Sequence, residues 1–252
     1  MNGNTQQQGG KVAIVTGASR GIGAAVARRL AADGFTVVVN YAGRRADAEA
    51  VVAEIESKGG RAAAFQADVA DPGQVAALFD QAITLFGGVD VLVNNAGIIQ
   101  PGLVFLSDTD DALFDRIVAV NLKGTFNGLR VAARKLRDGG RIVNFASSVS
   151  RLALPGYSVY AATKSAVETM TLIFARELRG RDVTVNAVAP GPTATELFLK
   201  DKTGAQVEHL SKMPPLERLG QPEDIANVVA FLVGPDGGWV NGQTLPANGG
   251  IV

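Results

Sequence analysis

Tyr160 and Lys164 stand four residues apart in Y-A-A-T-K, inside a stretch whose apolar spacing predicts a helix over 157–180, so the two share a helix face. A tyrosine hydroxyl ordinarily titrates near pH ~10, too high to exchange protons readily at neutrality, and an ammonium held beside it favours the phenolate. Such a pair makes a general acid/base for a carbonyl or an alcohol. Taken alone, the spacing also suits an ordinary helix surface. Ser147 and Ser148 add weight, because they follow the apolar strand R-I-V-N-F-A thirteen and twelve residues upstream of the tyrosine. Adjacent strand residues face opposite ways, so only one of these hydroxyls is expected to point at the pair.

Ser19 invites a different chemistry. Gly17-Ala18-Ser19-Arg20-Gly21 fits G-x-S-x-G, the serine elbow of hydrolases, between the apolar run Val12–Val15 and a helix-like run from Ala24 to Leu30. With Gly23, the same stretch reads as G-x-x-x-G-x-G, a loop that offers backbone N–H groups and a helix N-terminus to a phosphate. One reading makes Ser19 the nucleophile, the other a phosphate neighbour. A hydrolase would also need a base, and His209 is the only histidine. The dinucleotide reading is therefore preferred, with Gly17, Ser19, Arg20, Gly21, Ile22 and Gly23 around a cofactor.

The strand that follows ends in Asn40 and Tyr41, with Arg44 and Arg45 just beyond. An acidic residue there would accept hydrogen bonds from an NAD ribose and repel a 2′-phosphate. Guanidiniums at 20 and 44 favour NADP(H) over NAD(H), although Arg44 and Arg45 also fit solvated residues at a helix start. Asp71-Pro72 supplies a cap and a first turn for the next helix, which frees Asp68, beside Val69, to reach an adenine. V-D-V-L-V-N-N-A-G at 89–97 is a strand ending in two asparagines and a glycine, residues that tie loops together or line a ligand crevice. Asn121 stands in mid-helix, where an asparagine packs by accident, disturbs the helix or holds a water.

Positioning these residues requires a sheet. Apolar strands are expected at 11–16, 35–40, 62–67, 89–94, 141–146, 182–188 and 243–247, with helices at 22–33, 44–58, 72–86, 109–137, 157–180 and 223–234. This alternation implies right-handed βαβ units: an α/β, Rossmann-type, doubly wound parallel sheet of about seven strands with helices on both faces. No linker divides residues 11–252, so a single domain is expected, with 193–216 as a substrate lid and 1–10 as a disordered polar tail. The 24 basic and 24 acidic residues cancel, which argues against nucleic acid and anionic membranes as partners. No apolar run approaches the ~20 residues that span a bilayer, and the tail lacks the regions of a signal peptide, so a cytoplasmic protein is expected. With no cysteine and one histidine, thiolate catalysis and the usual zinc sites are excluded. The chemistry must use hydroxyls, carboxylates, amines and a cofactor.

Taken together, T-G-A-S-R-G-I-G, Asp68-Val69, N-N-A-G, Asn121, Ser147, Y-A-A-T-K and P-G-P-T-A-T resemble the short-chain dehydrogenase/reductase family over nearly the whole chain after the tail. The resemblance implies an NADP(H)-dependent oxidoreductase that reduces a ketone to a secondary alcohol, with Tyr160 as proton donor. Lys164 then lowers the tyrosine's pKa and holds the nicotinamide ribose, Ser147 positions the substrate, and Asn121 holds a water that relays protons to the lysine. Asn94, Ala96 and Gly97 match the loop bordering the cofactor, while Pro190, Gly191, Thr193 and Thr195 match the segment that binds the nicotinamide carboxamide. A homotetramer through the helices at 109–137 and 157–180 is implied. The run Ala161-Ala162, Ala166, Met170, Ile173, Phe174 serves either that interface or the sheet.

Three substrate classes suit the resemblance: a neutral ketone, a 3-oxoacyl thioester, and a sugar or other alcohol. Arg137, Arg179 and Arg181 offer a docking patch for an acyl carrier protein, although cations near helix C-termini are favoured anyway. Ile98, Ile99, Leu152, Leu154, Tyr157, Leu197, Phe198, Leu210 and Met213 fall in loops that the family places around the substrate, and this uncharged set favours a neutral, moderately hydrophobic ketone. A cofactor-binding sensor on the same fold would be marked by loss of Tyr160 or Lys164, and both are present.

Overall fold

Val12–Val15 is wholly apolar, and as β1 it is buried on both sides, with Ala13 and Val15 in one core and Val12 and Ile14 in the other. The computed structural model describes residues 10–200 and 202–252. The expected disordered tail therefore lies, apart from Gly10, outside the described residues. After β1 come α1 (Gly21–Ala32), β2 (Thr36–Tyr41), α2 (Arg45–Ser57), β3 (Arg61–Gln66), α3 (Pro72–Phe86) and β4 (Val89–Asn94). The second half runs α4 (Asp111–Ile117), a π-helical turn (Val118–Lys123), α5 (Gly124–Lys135), β5 (Leu136–Phe145), α6 (Val149–Leu152) and α7 (Ser158–Glu177). It closes with β6 (Thr184–Pro190), α8 (Glu196–Leu199), α9 (Gly204–Lys212), α10 (Pro222–Val233) and β7 (Thr244–Ala247).

The strands form one parallel sheet in the order β3-β2-β1-β4-β5-β6-β7. Residues of α1, α2 and α10 pack into the core on one face, and residues of α3, α5 and α7 into the core on the other. The order reverses between β1 and β4, so the loops leaving those two strands diverge and open a crevice at the sheet's carboxyl edge. The expected cap is in place: Asp71 accepts from the N–H groups of Gly73 and Gln74, with Pro72 in the first turn of α3.

The single helix expected over 109–137 is instead broken. Asn121 lies within the π turn, where its Oδ1 accepts from Ile98 N at 2.8 Å and its Nδ2 donates to Ile98 O at 2.9 Å. The amide of a mid-helix asparagine has thus been turned outward to bind a second backbone segment, and the helix widens around it. The helix also stops early. Leu136 is already extended and pairs with Val89, so β5 begins five residues before the expected 141. Two glycines let α5 lie close to the sheet edge: a Cβ at Gly124 would come within 2.7 Å of Val69 Cγ2, and one at Gly128 would overlap the Asn94 side chain.

Candidate active site

The crevice between the loops after β1 and β4 is a cleft of about 550 Å³. At one end lies the glycine loop. Gly17 and Gly21 have φ of +62° and +54°, and a Cβ at Gly23 would lie 2.5 Å from both Asn95 Nδ2 and Gly17 O. The loop is pinned from β2: Gly17 N donates to Asn40 Oδ1 at 3.2 Å and Ala18 N to Asn40 O at 2.8 Å, while Asn40 Nδ2 donates to Ala67 O at 3.0 Å. Arg20, at the N-cap of α1, makes no side-chain cap, so the N–H groups of the first turn are left for an anion. This cradle of close-packed glycines over an uncapped helix end, with Arg20 and Arg44 beside it, fits the phosphates of a dinucleotide.

At the other end are the groups with chemistry. Lys164 is 4% exposed, and its Nζ donates to Phe145 O at 2.8 Å and lies 5.7 Å from the centroid of the Tyr160 ring. Burial disfavours the ammonium and lowers its pKa to about 8. Tyr160 is partly buried and hydrogen-bonded to Ser147. Its hydroxyl is pushed up by burial, with the Ser147 hydrogen bond acting in the opposite direction. The expected depression of Tyr160 by Lys164 is therefore not what this structure shows. Desolvation dominates both groups, and the ammonium is directed at a main-chain carbonyl. Of the two serines, Ser148 is consumed structurally: its Oγ donates to Ala189 O at 3.2 Å and accepts from Asn248 Nδ2 at 3.0 Å.

Comparison with known proteins decides the family. The family model described as Enoyl-(Acyl carrier protein) reductase matches residues 17–252. The chain is 46% identical over 255 residues to the NADPH-dependent aldehyde reductase-like protein, chloroplastic, of Arabidopsis thaliana, covering 96% of this chain and 94% of that one. It is 43% identical over 247 residues to the 3-oxoacyl-[acyl-carrier-protein] reductase of Staphylococcus epidermidis, covering 96% and 98%. A short chain dehydrogenase from Burkholderia cenocepacia, solved in complex with NADP, superimposes with a TM-score of 0.90 at 43% identity over 97% of this chain and 98% of that one. The chain belongs to the short-chain dehydrogenase/reductase family. It is an oxidoreductase.

Against that family pattern, the cleft is lined by every site residue expected from the sequence except Asn94 and Asn121. Asn94 turns away, its Nδ2 donating to Asn144 Oδ1 at 2.8 Å, and Asn144 continues to Thr171 Oγ1 at 2.9 Å. Its neighbour Asn95 reaches the cleft instead, tying the loops with bonds from Nδ2 to Thr16 O at 2.8 Å and Gly17 O at 3.2 Å. Strand alternation separates the two asparagines, a signal present in V-D-V-L-V-N-N. Asn121 sits behind the wall, with both ends of its amide bonded to the Ile98 peptide. All nine expected apolar wall residues line the cleft, whereas His209 does not and is exposed on α9. A Ser19–His209 hydrolase is not assembled among the described residues.

One further expectation changes, and one residue is added. Arg137 pairs with Asp90 and donates to Gly87 O, and Arg181 pairs with Asp138 and donates to Ala133 O, so these guanidiniums bind their own chain. Glu196 was not signalled by the sequence. Its carboxylate, whose pKa is lowered chiefly by the Arg20 hydrogen bond, also takes Arg44. Among the described residues no helix is long and apolar enough to cross a membrane, and no cluster of ligands could hold a metal ion.

Because folding lowers the pKa of Lys164 from 10.5 to about 8, the unfolded chain binds its proton more tightly, and the lysine's contribution to stability rises with pH across that window. Tyr160, shifted upward, opposes this only at higher pH. Urea titrations of wild type and Lys164→Met are expected to diverge by about 1–2 kcal/mol between pH ~7.5 and ~9.5, wild type gaining relative to the variant. Parallel pH profiles would mean that the ammonium is not buried.

Proposed function

We propose that this chain reduces a neutral, moderately hydrophobic ketone to a secondary alcohol with NADPH. The observation that carries the reading is the hydrogen-bonded Ser147–Tyr160 pair beside buried Lys164, in the same cleft as the glycine loop and its two guanidiniums. NADP(H) suits the adenosine end through Arg20 and Arg44, and the names of the Arabidopsis relative and the Burkholderia complex support that cofactor. Bound in the cleft, the dihydronicotinamide supplies the hydride. The Ser147 and Tyr160 hydroxyls donate hydrogen bonds to the carbonyl oxygen, where negative charge develops. Tyr160 then transfers its proton to that oxygen, and burial keeps the hydroxyl protonated until this happens. Lys164, fixed on Phe145 O, stabilises the phenolate left behind. Asn121 acts as a positioning residue: it clamps Ile98, and a Cβ at Gly97 would lie 3.4 Å from its Oδ1 and 3.6 Å from Lys164 Nζ.

The segment 193–216, folded as α8 and α9, contributes Leu197, Phe198, Leu210 and Met213 to the wall and serves as the substrate lid. A 3-oxoacyl thioester carried on an acyl carrier protein is the second reading, supported by the Staphylococcus relative's name but weakened by the engagement of Arg137 and Arg181. In a panel of aryl ketones, an acetoacetyl thioester and aldoses, NADPH oxidation is expected to give the highest kcat/KM with the aryl ketones. A preference for the thioester or an aldose reassigns the substrate.

The helices at 109–137 and 157–180 are expected to assemble a homotetramer. Phe114, Phe126, Leu172 and Ile173 are each more than two-fifths exposed there, whereas Met170 and Phe174 pack into the core. Light scattering should give a tetramer for wild type and a smaller species for Ile173→Glu. A wild-type monomer removes this reading.

Tyr160→Phe is expected to lower kcat by about 10²–10⁴-fold while NADPH binds within about twofold of wild type. Retention of most of the turnover rate sinks the assignment of Tyr160 as proton donor.

A further inference from the structure

One side chain of the lid reaches the adenosine end of the cleft. Glu196 is the first residue of α8, directly after the N-cap Thr195, whose Oγ1 accepts from Phe198 N at 3.2 Å. Thr195 also lies over the glycine loop: a Cβ at Gly21 would be 3.5 Å from its Cγ2. From there Glu196 Oε2 pairs with Arg20 Nη1 at 2.7 Å, and Oε1 pairs with Arg44 Nη2 at 3.0 Å. Arg44 is shared further with Asp47 at 3.3 Å. Two guanidiniums thus face two carboxylates, and their formal charges cancel.

These arginines are the groups suited to a 2′-phosphate. A phosphate oxygen and the Glu196 carboxylate want the same N–H donors, and held side by side they repel. A ribose with a free 2′-hydroxyl meets the opposite situation, since it can donate a hydrogen bond to a carboxylate. We propose that Glu196 is a cofactor-selectivity residue carried on the lid, competing with the 2′-phosphate for Arg20 and Arg44 and so holding the preference for NADP(H) over NAD(H) below what the arginines alone would give. This rests on placing the adenosine phosphate at those arginines, as proposed above. Arg20, Arg44 and Glu196 are 41%, 50% and 55% exposed, so the competition is screened and its effect is modest.

The test is direct binding, with NADPH and NADH titrated by calorimetry into wild type, Glu196→Gln and Arg44→Ala at low ionic strength. Glu196→Gln keeps the shape of an exposed side chain and removes its charge. It is expected to bind NADPH roughly three- to tenfold more tightly, with NADH unchanged or weaker, and the gain should shrink as salt is raised. Unchanged or weaker NADPH binding, or an equal change for both cofactors, overturns the proposal and makes Glu196 a clasp of the lid only. Arg44→Ala separates the two levels of the argument. Selective loss of NADPH affinity there, without a gain in Glu196→Gln, rejects the competition but keeps the phosphate placement. No loss in Arg44→Ala rejects both.

Discussion

An ammonium taken out of water needs a fixed acceptor, and the chemical end of this site is arranged around meeting that need for Lys164. The acceptor is the main-chain oxygen of Phe145, the last residue of β5, a strand flanked on both sides by β4 and β6. Its position is therefore set by the sheet and not by a mobile side chain. The opposite wall must come close without competing, which is why Gly97 faces the lysine and why Asn121 spends both ends of its amide on Ile98. The π turn follows from that contact. A helix that kept its regular ladder through 118–123 would not aim the Asn121 amide at the loop after β4 in the same way.

The fold was legible because its signals are local and repeated. Val12–Val15 reads as an uninterrupted apolar run, and Gly17 and Gly23 of the first loop stand where a Cβ would strike a neighbour, while Gly21 takes a positive φ. Tyr160 and Lys164 were legible through helical spacing, and the apolar wall through the loops that carry it. What escaped were contacts between segments distant in sequence. Which asparagine of N-N-A-G faces the cleft depends on the cross-strand pairing of Asn94 with Asn144. The π turn depends on a partner 23 residues away, and Glu196 meets Arg44 across 152 residues. Arg137 and Arg181, read as a docking patch, turn inward to carbonyls of their own chain.

The direction of the Tyr160 shift was misread for a related reason. Sequence spacing supplies the neighbouring charge but not the burial, and here burial is the largest influence on the hydroxyl. A tyrosine that remains protonated is suited to giving a proton to an incoming carbonyl. An ammonium nearby would act in the opposite sense, favouring the phenolate.

The two ends of the cleft consequently differ in how easily they can change. At the chemical end, Lys164, Asn121 and Asn144 are almost fully buried, and removing any one leaves a polar partner stranded at a cost of about 1–3 kcal/mol. At the glycine-loop end, Arg20, Arg44, Asp47 and Glu196 are solvent-exposed and paired only through side chains, where solvent screening leaves each ion pair weak. Substitution there alters which anion is held without disturbing the sheet. A scaffold with this asymmetry can change the charge around its glycine loop while Lys164, Asn121 and Asn144, locked by buried hydrogen bonds, stay where they are.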